Sequence, residues 1–294
     1  MSDDDYFQRL KYVIDGLQNC TYDDENYWEY SIESMNLKFE ALVRNFSFTD
    51  EQESFVRKAA IDHLSMGKKG EFHILCDILS YTGSRIQRKP TETSLQYHFD
   101  FKEDCASSND IAIDLLIEAG IFASDEKVQY YDIGTLGVQK KDVGRRGLLI
   151  VTNKRLIAVG GYTGNQYGKK HKLYYGDLRE PYLSYVDFVY LDRLKDIELK
   201  KKKIQAKYDT EYIVEKERTF YGPYFFRFDL PTSVKVKSGS VKIKISLPEL
   251  EKKELVKKSE FPFMDEAFER WNEVEIPENY DLVRLNNLYR MILK

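Results

Sequence analysis

Apolar residues recur at helical spacing through the first part of the chain and at strand-like spacing through most of the rest. Tyr6, Phe7, Leu10, Val13, Ile14 and Leu17 fall on one helix face, which Gly16 and Asn19 bring to a close. Trp28, Ile32, Met35, Phe39, Leu42, Val43 and Phe46 repeat the pattern over a longer helix. Asp23, Asp24 and Glu25 lead into it, where a helix N-terminus favours carboxylates. Thr49-Asp50-Glu51-Gln52 has the form of a capping box, a hydroxyl and an amide each satisfying an otherwise orphaned backbone N–H. Phe55, Val56, Ala59, Ala60 and Leu64 then form one apolar face that Gly67 ends, and Phe72, Leu75, Cys76 and Leu79 predict a further helix. Periodicity fades over residues 84–104, read as a surface loop around Pro90 with a short strand at 95–99. Ser107, Ser108, Asn109 and Asp110 offer N-caps for a helix over 111–119, closed by Gly120. Residues 1–120 therefore read as a helical bundle.

Beyond Ile121 the period changes. Residues 144–161 read GRRGLLIVTNKRLIAVGG, two short apolar runs around the polar tetrad Thr152-Asn153-Lys154-Arg155, which is a β-hairpin signal. Runs this short fit strands better than a helix. Residues 127–131 predict a first strand, turned by Gly134-Thr135-Leu136-Gly137, with 139–146 as the loop into the hairpin. Residues 182–191, 204–215 and 224–228 are strand-like in composition or alternation. The cleanest alternation is Val234-Lys235-Val236-Lys237 and Val241-Lys242-Ile243-Lys244-Ile245, read as a second hairpin turning at Ser238-Gly239-Ser240. Phe263, Ala267, Phe268 and Trp271 would give a helix over 264–274 its buried stripe, and Leu282, Leu285, Leu288 and Ile292 align along a last amphipathic helix.

The hairpin wording Gly-Leu-Leu-Ile-Val-Thr-Asn-Lys-Arg-Leu-Ile resembles the G-x-L-x-x-T-N-x-R-L hairpin of GRAM-like and bacterial pleckstrin-homology-like (PH-like) domains, and residues 190–198 are similar to the short apolar-acidic strand that follows in those families. Periodicity and the resemblance together give an α+β chain: an acidic helical domain at 1–120 read from its periodicity and charge, a PH-like antiparallel sheet or barrel with its C-terminal helix at 121–275 as the resemblance implies, and an extra amphipathic helix at 276–294. Because a PH-like fold does not require that last helix, it is expected to pack elsewhere, on the N-terminal unit or a partner. A long insertion between Tyr162 and Tyr182, rich in Gly, Lys and Tyr, departs from the compact family pattern.

Composition narrows the function classes. The 294 residues are 42% hydrophobic and 32% charged, an ordinary globular balance, and no stretch is apolar enough to span a bilayer. Asp3-Asp4-Asp5 stands where a secretory signal would carry positive charge, so a cytoplasmic location is expected, peripheral at a membrane if lipid is bound. Cys20, Cys76 and Cys105 are widely spaced without a C-x-x-C, which points to reduced thiols rather than disulfides or zinc. His63 and His73 lie ten apart, too far for a metal pair on one helix face. The formal charge of −4 divides into −11 for residues 1–120 and +7 for 121–294. The acidic first half and the absence of nucleic-acid-binding motifs disfavour nucleic acid. No catalytic, phosphate-loop or dinucleotide motif is present in the sequence, so neither a cofactor nor a metal is expected, and an enzyme of unrecognised type is the remaining alternative.

The basic residues cluster at Lys140-Lys141 with Arg145-Arg146, at Lys169-Lys170 with Lys172, and at Lys200, Lys201, Lys202 and Lys203. In PH-like families the loop between the first two strands often grips phosphorylated headgroups, and the first cluster falls there. Each cation near an anionic bilayer contributes about 1 kcal/mol. The expectation is a non-enzymatic adaptor that docks on anionic lipid headgroups through Lys140, Lys141, Arg145, Arg146, Lys169, Lys170 and Lys172, or on a protein partner. A purely protein–protein module is the alternative.

Overall fold

The computed structural model describes residues 2–21, 23–82, 108–138, 144–163, 186–221, 227–248 and 279–294. Among these are six α-helices and a seven-stranded antiparallel sheet, an α+β chain with helices first and strands after. It divides into two compact units, Met1–Glu126 with Glu249–Tyr280, and Lys127–Pro248 with Asp281–Lys294. The expected loop and strand at 84–104, the helix at 264–274 and Cys105 lie outside the described residues.

In the helical unit, α1 (Asp3–Asn19) buries all six residues of its apolar face, from Tyr6 to Leu17. A capping box that the sequence reading passed over starts it, with Ser2 and Asp5 satisfying each other's backbone N–H groups. α3 (Asp50–Ser65) starts on the expected box: the Gln52 amide N–H donates to the Thr49 hydroxyl and the Thr49 N–H to the Gln52 side chain. α4 (Lys69–Tyr81) and α5 (Ser108–Glu118) follow, and Gly67 and Gly120, both at positive φ, stand just beyond α3 and α5. α2 (Glu25–Val43) departs from the expected pattern. Phe39 and Leu42 are buried, but Trp28 and Ile32, from the same predicted stripe, face solvent. The helix instead turns Tyr27, Ser34, Leu37 and Ala41 inward, a face offset from the one that hydrophobicity alone selects.

The β unit is a single sheet in the order β4-β3-β2-β1-β7-β6-β5 and is not closed. Its strands are β1 (Val128–Val138), β2 (Gly144–Thr152), β3 (Arg155–Thr163), β4 (Val186–Tyr190), β5 (Leu194–Lys200), β6 (Lys203–Tyr221) and β7 (Arg227–Ser246). β2 and β3 form the expected hairpin, with Ile150 opposite Ile157 and both fully buried. The two apolar runs are near-continuous because both sheet faces are covered there: Leu149, Val151, Leu156 and Ala158 join one core, while Leu148, Ile150, Ile157 and Val159 are buried on the other side.

Three strand readings are corrected. Gly134 and Gly137 do not turn the chain but lie within β1, where a Cβ on Gly134 would come 2.3 Å from Leu149 Cδ1, so the missing side chain makes room for a core leucine. Ser238-Gly239-Ser240 is no hairpin turn either. β7 runs straight through it for 20 residues because the 19-residue β6 supplies a ladder along almost its whole length, setting Thr210 opposite Gly239. Arg145 and Arg146 belong to β2 rather than to a loop.

The last helix, α6 (Tyr280–Leu293), also differs from expectation. It packs on the sheet of its own unit, contributing Leu285, Leu288 and Ile292 to the core built by Tyr130, Leu149, Val151, Leu156, Val189, Tyr208 and Ile245. Leu282, expected on that stripe, is exposed. An ion pair fixes the helix. Arg284 donates from Nε and Nη2 to both carboxylate oxygens of buried Asp132, at 3.0 and 2.6 Å, and from Nη1 to Asp281 and the Pro248 carbonyl. Asp132 also accepts from the Tyr130 hydroxyl and the Ile133 N–H. The apolar pattern of residues 281–293 could not reveal its destination, because the partner of Arg284 lies 152 positions upstream.

Candidate interaction surfaces

The Thr-Asn-Lys-Arg turn that drew attention in the sequence is consumed by the fold. The Thr152 hydroxyl accepts from the N–H groups of Lys154 and Arg155, at 3.1 and 2.8 Å, and closes the two-residue turn Asn153-Lys154. The Asn153 side-chain oxygen accepts from the Lys127 N–H at 2.8 Å, latching the start of β1 to the turn, and the Lys154 carbonyl accepts from Leu191. These residue types at this spacing make a rigid corner. Beyond the corner, the Arg155 guanidinium lies 4.8 Å from the Phe188 ring centre and that of Arg193 4.9 Å from Tyr190, with the two rings edge to face.

The seven basic residues expected to hold lipid divide three ways. Lys140, Lys141, Lys169, Lys170 and Lys172 lie outside the described residues. Arg146 is exposed on β2. Arg145, its neighbour on the opposite sheet face, is 1% exposed: Nη2 donates to Asp187 at 3.1 Å and Nη1 to the Gly160 carbonyl at 2.7 Å, tying β2 across β3 to β4. Moving a guanidinium held this way out to a headgroup would strand a buried carboxylate, which disfavours Arg145 as a headgroup ligand. The alternation of β2 was the available signal: Arg145 shares its face with core residues Leu149 and Val151, and Arg146 does not.

Three lysines of β5 and β6 meet carboxylates. Lys195 pairs with Asp209, Lys200 with Glu198 at 3.0 Å and Lys207 with Asp196 at 2.5 Å, all exposed. Lys200, Lys201, Lys202 and Lys203 make the β5–β6 hairpin bend and its two flanking positions rather than a strand face. This edge mixes both signs. The Lys195 and Lys207 ammonium groups are shifted toward the charged form by the hydrogen bonds to their partners, and the Asp209 carboxyl is lowered chiefly by its bond from Lys195.

In the helical unit, buried polar groups gather around α4. The Tyr27 hydroxyl donates to Glu71, and Lys68 donates to the carbonyls of Leu17 and Cys20. His63 is fully buried nearby, and neither ring nitrogen has a hydrogen-bond partner. Burial pulls its pKa down to about 4, against the pull of Glu71, so the ring is neutral at pH 7. Among the described residues no group of His, Cys, Asp and Glu could hold a metal ion, and no helix is long and apolar enough to cross a membrane.

The surface missed by sequence reasoning is on α2. Trp28 and Ile32 are 61% and 51% exposed, one helical turn apart, with exposed Glu25 and Glu29 interleaved at the same spacing. A signal existed in the sequence: between Lys11 and Lys38 there is no lysine or arginine, while Asp15, Asp23, Asp24, Glu25, Glu29 and Glu33 all fall there.

Comparison with known protein families, with characterised proteins and with solved structures finds no match to this chain.

Proposed function

We propose that the chain is a non-enzymatic adaptor whose β unit is PH-like and docks on a protein partner. The PH-like reading is supported by a seven-stranded antiparallel sheet made of a four-stranded and a three-stranded meander joined through β1 and β7; the helix that the resemblance implies over 264–274 lies outside the described residues. Docking on protein rather than lipid draws on one observation: five described cations of the β unit are paired with carboxylates. Arg145 and Arg284 are sealed against Asp187 and Asp132, and Lys195, Lys200 and Lys207 are paired at the surface. A mixed-sign surface suits a protein partner, whereas a bilayer attracts an excess of one sign.

A second reading, docking on an anionic membrane, draws on exposed Arg146 beside Lys140 and Lys141 in the sequence. Sedimentation of the full chain with neutral and with anionic vesicles at low salt separates the two. Equal, low pelleting with both is the expected result. Pelleting that depends on anionic lipid, falls with salt, and is lost when Lys140, Lys141 and Arg146 are neutralised would replace the protein reading with the membrane one.

A further inference from the structure

We infer that the Trp28–Ile32 face of α2 is a docking site for a basic, amphipathic segment of another protein. It gives the helical unit an occupant within the adaptor reading, and it stands or falls separately from what the β unit docks on.

The apolar stripe of α2 is continuous in sequence but not in burial. Its C-terminal half, Phe39 and Leu42, lies in the core at 9% and 3% exposure, Met35 is half-buried, and Trp28 and Ile32 stand in solvent. Neighbouring Tyr27 is turned inward to Glu71, so the register of the helix is fixed and Trp28 cannot rotate into the core without breaking that contact. An indole and a branched aliphatic side chain one turn apart make an anchor pair of the kind that receives apolar residues of a partner helix.

Charge selects the occupant. Glu25 and Glu29 alternate with the two anchors along the same face, exposed and without an ion pair among the described residues. The acids that are engaged nearby lie off this face: Glu33 is held by Arg9, and Asp24 accepts from Thr21. With no lysine or arginine from residue 12 to residue 37, nothing on this stretch neutralises the field. A partner that places leucine-like side chains on Trp28 and Ile32 and lysine or arginine beside Glu25 and Glu29 meets both requirements, and a cation over the indole face adds to them. An acidic partner, nucleic acid or an anionic bilayer is repelled by the same groups.

The test is fluorescence anisotropy of a labelled synthetic lysine–leucine peptide, with leucines at helical spacing, titrated with the full chain. A glutamate–leucine peptide of the same pattern serves as the opposite-charge probe. The lysine peptide should bind saturably and the glutamate peptide should not. Trp28→Ala with Ile32→Ser should abolish binding. Glu25→Gln with Glu29→Gln should weaken it about tenfold and flatten its salt dependence. Glu51→Gln with Asp62→Asn, which removes the same charge from α3, should leave it unchanged. The inference is overturned if the lysine peptide fails to bind at low salt, if both peptides bind alike, or if the α3 variant loses as much affinity as the α2 variant. An unchanged circular dichroism spectrum certifies each variant as folded.

Discussion

The helical unit and the β unit both seal some charges inside, and differ in what they leave outside. The β unit takes arginines inside and closes each on a carboxylate from a distant strand or helix, Arg145 on Asp187 and Arg284 on Asp132. The helical unit leaves most of its acids outside and leaves half of an apolar stripe with them. A charge sealed inside commits a residue to the fold, because removing one partner strands the other in a low-dielectric interior. A charge left beside an uncovered apolar face contributes little to the fold and is available to something else. Burial, rather than residue type, therefore separates the cations that hold this molecule together from the groups that can meet a partner.

The largest effects that would break this comparison are in the β unit. Arg145→Ala should cost about 3–5 kcal/mol of stability in urea titration, and Asp187→Ala added to it should cost less than the two single changes summed, since no buried charge is then left unpaired. Arg284→Ala should be as severe, with α6 released from β1 and the core around Leu288 exposed to protease. Equal and small effects for these arginines and for exposed Arg146 would dissolve the distinction.

In the helical unit Leu42→Ala should cost about 2–5 kcal/mol, as for other buried leucines, whereas Trp28→Ser, which gives up the edge contact of the exposed indole with Tyr27, should cost about 1 kcal/mol although both belong to one sequence stripe.

His63 sharpens the contrast through pH. Its folded pKa of about 4 lies below the ordinary 6.5, so the unfolded chain binds a proton first as pH falls. Stability should be constant above about pH 6.5, fall by up to about 1.4 kcal/mol per pH unit between 6.5 and 4, and lose at most about 3 kcal/mol in all from this group. Glu71 and Asp62 oppose this shift and Lys68 reinforces it, so His63→Leu should flatten that part of the pH profile, read as the midpoint of helical unfolding at pH 7 and pH 5. A profile unchanged by the substitution would mean that the ring finds a partner or water when protonated. Smallest of all, Arg146→Ala should leave stability within about 0.5 kcal/mol.

Local grammar was legible in the sequence, and distant pairing was not. The faces of α1 and α3, the Thr49–Gln52 box, the β2–β3 hairpin and the outward Lys242 and Lys244 beside inward Ile243 and Ile245 all follow from residues within a few positions of one another. Ser238-Gly239-Ser240 misled because turn residues are also tolerated in a long strand whose partner ladder is unbroken. The destination of α6 and the role of Arg145 were set by Asp132 and Asp187, at separations no local pattern encodes. On α2 the hydrophobic period located the helix but not which of its two apolar faces the unit would cover. The stretch from residue 12 to residue 37, which holds acids and no lysine or arginine, marks the same helix as acidic.

The claim that the Trp28–Ile32 face is kept for a basic partner and not for the fold is tested most directly by one thermal-melting comparison. The full chain and its Trp28→Ser, Ile32→Ser variant are melted with and without the lysine–leucine peptide in large excess. Without peptide the two midpoints should lie within a few degrees of each other, the variant losing only the edge contact of Trp28 with Tyr27. With peptide at about a hundredfold over its dissociation constant, the wild type should gain about 2.7 kcal/mol, a rise of several degrees, and the variant nothing. A variant that already melts well below the wild type without peptide, or one that gains as much from peptide as the wild type does, would contradict it.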